Sequence, residues 1–298
     1  MCGIVGVFDF EGGRVDEVVL TRMRDTMFHR GPDGGANWLS EAGNVGLGHR
    51  RLSIIDLSTA ATQPMCNEDG SVWVTYNGEI YNHARLREEL VAAGHRFKTH
   101  HSDTEVIVHG YEQWGIEGLA ARIEGDYAIG LWDAASRRLH LLRDRIGVKP
   151  LYFTLVRGKL LFASEIKAML EHPDAPREVD TLAMYHYLSF LTAPAPLTMF
   201  KGIFKLPAGH LATVDEKGRL TATRYWDATP GHTGLREELA GLSDAAQEQM
   251  LVAGIRERLT AAVDKRMMSD VPFGVFLSGG IDSSTNVALM ARLMDRPV

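Results

Sequence analysis

A cysteine at the second position of the chain is the residue best suited to nucleophilic chemistry. Cys2 directly follows Met1 and precedes Gly3 and an apolar run. Removal of the initiator methionine, which a small second residue normally permits, leaves a thiol and a free α-amine on one residue. Such an amine has a pKa of roughly 7.7–8.0, so it can accept the thiol proton near neutral pH. Cys2 is therefore a candidate N-terminal nucleophile, although a cysteine near a chain start often has no function.

A glycine-rich turn near the other end of the sequence could bind an anion. Residues 278–284 read Ser-Gly-Gly-Ile-Asp-Ser-Ser, between an apolar stretch at 271–277 that predicts a strand and a segment rich in Ala, Leu and Met that predicts a helix. Glycines let the backbone approach a ligand closely, and the N–H groups at a helix start favour phosphate. Taken alone, such a turn is also common as a structural connection.

Four polar motifs in the first half of the chain are further candidates. They read His-Arg-Gly-Pro-Asp at 29–33, Arg-Leu-Ser-Ile-Ile-Asp at 51–56, Tyr-Asn-Gly-Glu-Ile-Tyr-Asn at 76–82 and Ser-Asp-Thr-Glu at 102–105. Each has a structural interpretation when it is taken alone. Arg51, like Arg50 beside it, could be a solvated cation. Asn77-Gly78 is typical of a hairpin turn, and Asp103 could cap a helix.

The apolar patterns predict the elements that must position these motifs. Strands are predicted at 3–8, 44–49, 52–55, 71–76, 96–99, 127–133, 138–143, 151–156 and 159–163, and helices at 16–29, 83–93, 104–114 and 181–191. Strands and helices in this arrangement favour an α/β protein, more closely an α+β sandwich of sheets between helical layers. The polar stretch 228–247 predicts a linker, and 248–267 predicts an amphipathic helix of a second domain.

Composition narrows the class of protein. The chain has 298 residues, 45% of them apolar, with a net charge of −6. The absence of a basic surplus argues against nucleic acid as a partner, and no apolar run is long enough for a membrane helix. Two cysteines, Cys2 and Cys66, are too few for a disulfide framework, which favours the cytoplasm, with Cys66 as a buried structural thiol. The residue spacing does not predict a structural zinc site.

The order and spacing of the motifs resemble those of the class II glutamine amidotransferase domain. With Glu-Gly-Asp-Tyr-Ala at 124–128, Arg-Asp-Arg-Ile-Gly at 143–147 and Ala-Ser-Glu-Ile-Lys-Ala at 163–168, the whole chain resembles glutamine-hydrolysing asparagine synthetases. The resemblance implies an N-terminal-nucleophile hydrolase of four αββα layers over 1–227. A linker at 228–247 follows, and 248–298 is then the first βα unit of a pyrophosphatase-type parallel α/β domain that this chain leaves incomplete.

The resemblance also implies a role for each site residue. Cys2 attacks the glutamine amide, while the Asn77 side chain and the Gly78 backbone form the oxyanion hole. Arg51 holds the substrate carboxylate, and Glu79 and Asp103 hold its ammonium or the amide nitrogen. The remaining glutamine-binding residues are implied to line the pocket with their backbone: Leu52, Ser53, Ile54 and Ile55.

The implied cofactors are ATP and Mg²⁺, and the implied small-molecule partners are glutamine, aspartate and ATP. The residues implied to bind ATP or pyrophosphate are Leu277, Ser278, Gly279, Gly280, Asp282, Ser283 and Ser284, with Asp282 near Mg²⁺. Ammonia released at Cys2 would attack a β-aspartyl-AMP intermediate to give asparagine. Two alternatives stay open: an amidotransferase with a different carboxylate acceptor, and a non-catalytic scaffold. A homodimer also stays open.

Overall fold

A computed structural model describes residues 1–229 and 234–294. The chain divides into two compact units, Met1–Asp227 and Ala228–Val298, which are described here one at a time. Within the described residues, no helix combines the length and the apolar character that a membrane crossing requires.

Unit 1 contains two sheets and five α-helices in the residues described. The strands are β1 (Gly3–Asp9), β2 (Gly34–Leu39), β3 (Val45–Arg51), β4 (Met65–Cys66), β5 (Val72–Ile80), β6 (Gly125–Asp133), β7 (Arg138–Arg143), β8 (Tyr152–Val156), β9 (Lys159–Ala163), β10 (Phe204–Lys205), β11 (His210–Val214) and β12 (Leu220–Arg224). The helices are α1 (Glu17–Asp25), α2 (His83–Ala92), α3 (Glu105–Arg122), α4 (Ile166–Met169) and α5 (Thr181–Phe190).

Both sheets are built from antiparallel pairs. The first has the strand order β10-β8-β9-β1-β3-β2, and the second β12-β11-β7-β6-β5-β4. The N-terminal strand β1 is central in its sheet because it pairs with β3 on one side and with β9 on the other. The residue before β1 is therefore held at the end of a strand that has neighbours on both sides.

The alternation of apolar side chains along β1 shows how the layers pack. Ile4 and Phe8 point into a core between the two sheets. Val5 and Val7 point the other way, into a core shared with α1 and α4. A third core joins the outer face of the second sheet to α2 and α3. The layers are helices, sheet, sheet and helices, so the predicted α+β sandwich is confirmed.

A phenylalanine fills the space between the sheets where two glycines leave room for its ring. Phe162 on β9 is fully buried. A Cβ atom added to Gly6 on β1 would lie 2.2 Å from Phe162 Cε1, and one added to Gly130 on β6 would lie 2.5 Å from its Cζ. The close approach of ring and backbone therefore depends on glycine at both positions.

Some predicted elements of unit 1 have different bounds in the structure. β5 continues through Asn77-Gly78 to Ile80, pairing with β6, so this dipeptide is not a turn. Residues 52–55 and 96–99, predicted as strands, form no strand. The helix predicted at 104–114 is the first part of α3: Gly115, with a φ of 67° and a ψ of 178°, is not helical, and a second helical segment follows it up to Arg122.

Unit 2 is helical in its described residues. Its helices are α6 (Leu235–Leu239), α7 (Asp244–Arg266) and α8 (Ile281–Leu293). The strand predicted at 271–277 is not formed, which corrects the expected βα unit: only its helix is present. A parallel strand needs neighbouring strands as hydrogen-bond partners, and the described part of unit 2 offers none. Phe276 is accordingly 97% exposed. The predicted linker also contains α6 and the start of α7.

Candidate active site

The Leu52 backbone on one side and the Arg30 side chain on the other hold Cys2 in place. Gly3 pairs with Arg50, so the residue before β1 reaches the loop that follows β3. There the Leu52 backbone N–H donates to Cys2 Sγ at 3.4 Å, and the thiol donates to Leu52 O at 3.6 Å. On the other side, Arg30 Nε donates to the Cys2 carbonyl at 2.9 Å. The position of Cys2 is thus fixed by the pairing of β1 with β3 and by these hydrogen bonds.

The thiol needs a base before it can act as a nucleophile. Burial raises the pKa of the Cys2 thiol, and the Leu52 N–H and the positive chain terminus offset only part of this effect. His49 lies in the same cavity, but burial lowers its pKa to about 3 and its Nε2 lies 3.1 Å from Tyr76 O. This imidazole is therefore neutral at pH 7 and occupied. Met1 is 55% exposed, so it is accessible for removal, which would free the α-amine of Cys2.

One cavity brings together nearly all the residues predicted for the glutaminase site. Its wall includes these predicted residues: Cys2, Arg51, Leu52, Ile54, Ile55, Asn77, Gly78, Glu79 and Asp103. Ser53 is not part of the wall, and its backbone N–H donates instead to Asp33 Oδ2 at 2.8 Å. The wall also includes residues that were not predicted for the site: Met1, His49, Ala61, Gln63, Tyr76, Ser102, Thr104 and Lys149.

Asn77 and Gly78 place donors at the cavity wall from the middle of β5. Asn77 is buried, and its Nδ2 has no hydrogen-bond partner among the described residues. A Cβ atom added to Gly78 would lie 2.3 Å from Asp126 O on β6, so only glycine allows this close strand approach. A buried amide donor without a partner is costly unless a ligand uses it. These groups are therefore suited to stabilise an oxyanion.

Asp103 is a buried carboxylate that is fixed in orientation by two donors. The Tyr76 hydroxyl donates to Asp103 Oδ2 at 2.7 Å, and the Ile80 N–H donates to the same oxygen at 3.0 Å. Burial raises the pKa of Asp103 above its usual range, although these two hydrogen bonds oppose the shift. An ammonium group beside Asp103 would stabilise its charged form, so this side chain is suited to a cationic ligand group.

The two neighbouring arginines have different surroundings. Arg51 lines the cavity while its guanidinium donates to Ser58 O at 2.9 Å and to Asp56 O. Arg50 is buried away from the cavity, where its Nε donates to Gly31 O at 2.9 Å. A guanidinium has five N–H donors, so Arg51 can bind a carboxylate while it keeps its loop contacts.

Two residues that the sequence analysis did not single out position the site. Arg30 Nη1 donates to Glu165 Oε1 at 3.0 Å, which anchors the guanidinium that holds the Cys2 carbonyl. Gln63 Oε1 accepts from the Tyr76 N–H at 2.7 Å, and its Nε2 donates to Thr104 Oγ1. Arg30 lies in the motif at 29–33, and Tyr76, the partner of Gln63, lies in the motif at 76–82. Their place in these motifs is the signal in the sequence that could have found them. Nothing in the sequence distinguishes Gln63.

In unit 2 the glycine-rich turn begins helix α8. Gly279 has a φ of 81°, and Gly280 is the N-cap, with no side chain capping the first turn. Ser278 Oγ and Ser283 Oγ are 3.0 Å apart, and Asp282 is exposed in the first turn. The N–H groups of the first turn have no side-chain cap and the Asp282 carboxylate is open, so this helix start is suited to a phosphate group with a bound cation.

Two families match this chain. The glutamine amidotransferase domain family matches residues 1–226, and the asparagine synthase family matches residues 254–298. Asparagine synthetase (glutamine-hydrolyzing) 3 of Bacillus subtilis (strain 168) is 38% identical over 98% of this chain and 45% of its own length. Amidase chry2 of Gibberella zeae is 35% identical over 99% of this chain and 43% of its own length. The chain spans less than half the length of these relatives.

A solved structure shares the sandwich fold. Glutamine phosphoribosylpyrophosphate amidotransferase from Bacillus subtilis, complexed with ADP and GMP, has a TM-score of 0.56 at 18% identity, covering 75% of this chain and 49% of that one. At this identity the likeness concerns the fold alone. Because the family match extends over residues 1–226, about three quarters of the sequence, the chain belongs to the glutamine amidotransferase domain family.

Proposed function

We propose that unit 1 is a glutaminase that supplies ammonia for ATP-dependent asparagine synthesis. The observation that carries this proposal is a single cavity in which a thiol, an unpartnered amide donor, an arginine and a buried carboxylate meet. The Arg51 guanidinium matches the carboxylate of a free amino acid, and the Asp103 carboxyl group matches its ammonium. Leu52, Ile54 and Ile55 offer apolar contacts for its side-chain methylenes.

The reaction follows from these placements. After loss of Met1, the Cys2 α-amine takes the thiol proton, and the thiolate attacks the amide carbon of glutamine. The Asn77 Nδ2 and the Gly78 N–H stabilise the negative oxygen of the tetrahedral intermediate. Its collapse breaks the C–N bond, the proton passes to the leaving nitrogen and ammonia departs. Water then hydrolyses the thioester, which releases glutamate and restores the thiol.

Unit 2 would begin the synthetase half of a longer enzyme. The pyrophosphate of ATP would be held by Ser278, Gly279, Gly280, Ser283 and Ser284. Leu277 would lie next to these residues, and Asp282 would lie beside Mg²⁺. When bound, ATP supplies the activation of a carboxylate as an acyl-adenylate. The residues of this turn bind and orient its phosphates.

Aspartate is the acceptor we favour. Support comes from relatives that carry the name asparagine synthetase (glutamine-hydrolyzing), at 37–38% identity over almost the whole chain. The partners are then glutamine, aspartate and ATP, and the compartment is the cytoplasm. Residues 1–227, 228–247 and 248–298 would act as glutaminase, connection and synthetase start. An enzyme that transfers ammonia to another carboxylate would share the same glutaminase chemistry.

Glutamine hydrolysis by the purified chain tests the glutaminase function. We expect the native chain to release glutamate and ammonia, Cys2→Ala to lose at least about 10³-fold in kcat, and Cys66→Ala to keep its rate. Mass spectrometry should find Cys2 at the N-terminus of the active protein. Unchanged activity in Cys2→Ala, or Met1 retained in an active enzyme, contradicts the mechanism.

A further inference from the structure

A cluster of histidine and glutamate side chains lies in unit 1 outside the active-site cavity. Glu68 lies in the turn between β4 and β5, His95 follows α2, and Glu105, His109 and Glu112 belong to α3. One ligand atom from each of His95, His109 and Glu112 lies within 4.8 Å of the other two. Three separate segments of the chain therefore bring metal-ligating side chains to one point.

The carboxylates of Glu112 and Glu68 are placed in the same way. One oxygen of each accepts a hydrogen bond from the protein, and the other lies near the His109 ring. Asn67 Nδ2 donates to Glu112 Oε1 at 2.8 Å, and the Arg96 backbone N–H donates to Glu68 Oε1 at 3.3 Å. Their second oxygens lie 3.0 Å and 3.7 Å from His109 Nδ1. Two anionic oxygens thus converge on one ring nitrogen.

A metal-bound imidazole uses the lone pair of one ring nitrogen, and in both rings the outer nitrogen, Nε2, faces an acceptor. His95 Nε2 lies 3.1 Å from Gln113 Oε1, an acceptor, so this nitrogen carries the proton. His109 is 1% exposed, and its Nε2 has no hydrogen-bond partner among the described residues. That nitrogen faces Glu105 Oε1 at 3.7 Å, and the carboxylate favours an N–H there. A carboxylate behind the outer nitrogen is the usual companion of a metal-bound histidine.

Without a metal, His109 Nδ1 donates to Glu112 Oε2 at 3.0 Å, and a metal ion bound at this point would take the place of that proton. His95 Nδ1 lies 3.7 Å from Glu112 Oε2, which also lies 3.0 Å from His109 Nδ1. Ligands of tetrahedral zinc at about 2.1 Å from the ion are separated by roughly 3.4 Å, close to these distances. We propose that His95, His109 and Glu112 bind a zinc ion, with Glu68 adjacent to the fourth position.

The chemistry of the donor set favours zinc over other divalent ions. Imidazole with carboxylate suits Zn²⁺, whereas Mg²⁺ and Ca²⁺ prefer oxygen ligands alone. Glu68 and Glu112 together balance the two positive charges of the ion. Glu105 is held rigidly behind His109, because its oxygens accept from the backbone N–H groups of Lys98 and Thr99 at 2.7 and 2.8 Å.

Zinc binding to the full chain tests this proposal. The experiment is equilibrium dialysis against buffered ZnCl₂, using a Cys2→Ala background so that the active-site thiol cannot bind the ion. We expect one zinc per chain, and an affinity at least about 100-fold weaker in His95→Gln and in Glu112→Gln. Glu117→Gln is the matched control, since it removes a charge from an exposed position of α3 outside the cluster and should bind as tightly as the parent.

A substitution of Glu105, which faces His109 but is not a proposed ligand, distinguishes loss of zinc coordination from general destabilisation of the protein. Glu105→Gln keeps the three ligands and should weaken zinc binding by about 10- to 100-fold. Circular dichroism shows whether each variant is folded, and Glu112 is exposed enough to tolerate substitution. If the parent binds no zinc, the carboxylates of Glu112 and Glu68 serve only as acceptors for the His109 N–H, and the proposal is wrong. Zinc retained by folded His95→Gln or Glu112→Gln, or lost equally from Glu117→Gln, also overturns it.

Discussion

The Asn77 side chain keeps a polarised N–H donor at the wall of the cavity, where solvent cannot compensate for its loss. It is 1% exposed and its Nδ2 has no partner among the described residues. We expect Asn77→Ala to reduce glutaminase kcat by about 10²- to 10³-fold with a small change in KM, because in the proposed mechanism the donor acts mainly on the developing oxyanion.

Asn77→Asp is the matched control for Asn77→Ala, because it keeps the shape of the side chain but replaces the donor with an acceptor. Its kcat should fall at least as far as that of the alanine variant. Steady-state kinetics of glutamate release measure both. An aspartate variant with parental kcat would show that Asn77 positions the strand and does not stabilise the oxyanion.

Among the titrating residues, His49 should make stability depend on pH. Burial lowers its pKa from 6.5 to about 3, although the contact with Tyr76 O opposes the shift. Between these two values the unfolded chain binds a proton that the folded chain does not bind. The free energy of unfolding therefore falls as pH falls through this window, by up to about 1.4 kcal/mol per pH unit from this group.

Urea unfolding at pH 7 and at pH 4.5 measures the effect of His49. We expect His49→Gln to lose less stability between the two pH values than the native chain, since glutamine does not titrate and can still donate to Tyr76 O. His140, whose pKa burial lowers to about 4, contributes to the slope in both proteins and cancels in the comparison. Equal pH slopes would contradict the assignment.

At the scale of the elements, contact between the two sheets depends on Phe162 and the glycines that face it. A Cβ atom on Gly130 would lie 2.5 Å from the ring. We expect Gly130→Ala to destabilise the protein by about 1–3 kcal/mol, because the ring has no space to move. In a Phe162→Leu background the same substitution should cost less. Urea unfolding of the four proteins gives the coupling, and strictly additive effects would contradict this packing argument.

The sequence predicts more of the elements than of their connections. The apolar patterns predict sheets between helical layers, and the family resemblance implies that there are four layers. The packing of β1 and α1 confirms this arrangement. The end predicted for β5 is wrong because Asn77-Gly78 has the composition of a turn, while pairing with β6 across a close glycine contact extends the strand. The strand predicted at 271–277 is not formed for a related reason. Its apolar pattern is typical of a strand, but a strand also needs neighbouring strands as hydrogen-bond partners, and the described part of unit 2 has none.

Contacts between distant segments were the least predictable part of the site. The sequence motifs predict that the site contains Cys2, Arg51 and Asp103. The structure places all three at the wall of one cavity. The orientation of Asp103 by the Tyr76 hydroxyl depends on packing across 27 positions of the chain. The cluster around His109 has no sequence signature either, because its members come from a turn, a helix end and a helix.

For the whole molecule, the separation into units predicts that glutaminase chemistry is independent of unit 2. All residues of the cavity and of the three core clusters lie within Met1–Asp227. A domain with its own core generally folds alone, so we expect a 1–227 fragment to hydrolyse glutamine with a kcat within about threefold of the 1–298 chain.

Neither protein should form asparagine from aspartate, ATP and glutamine, because relatives of that name are more than twice as long as this chain. Assays of glutamate release and of ATP-dependent asparagine formation, run on both proteins, measure the two expectations. Loss of glutaminase activity in a folded 1–227 fragment would show that unit 2 contributes to the cavity, and asparagine formed by 1–298 would show that the residues after Ala228 already make a complete synthetase.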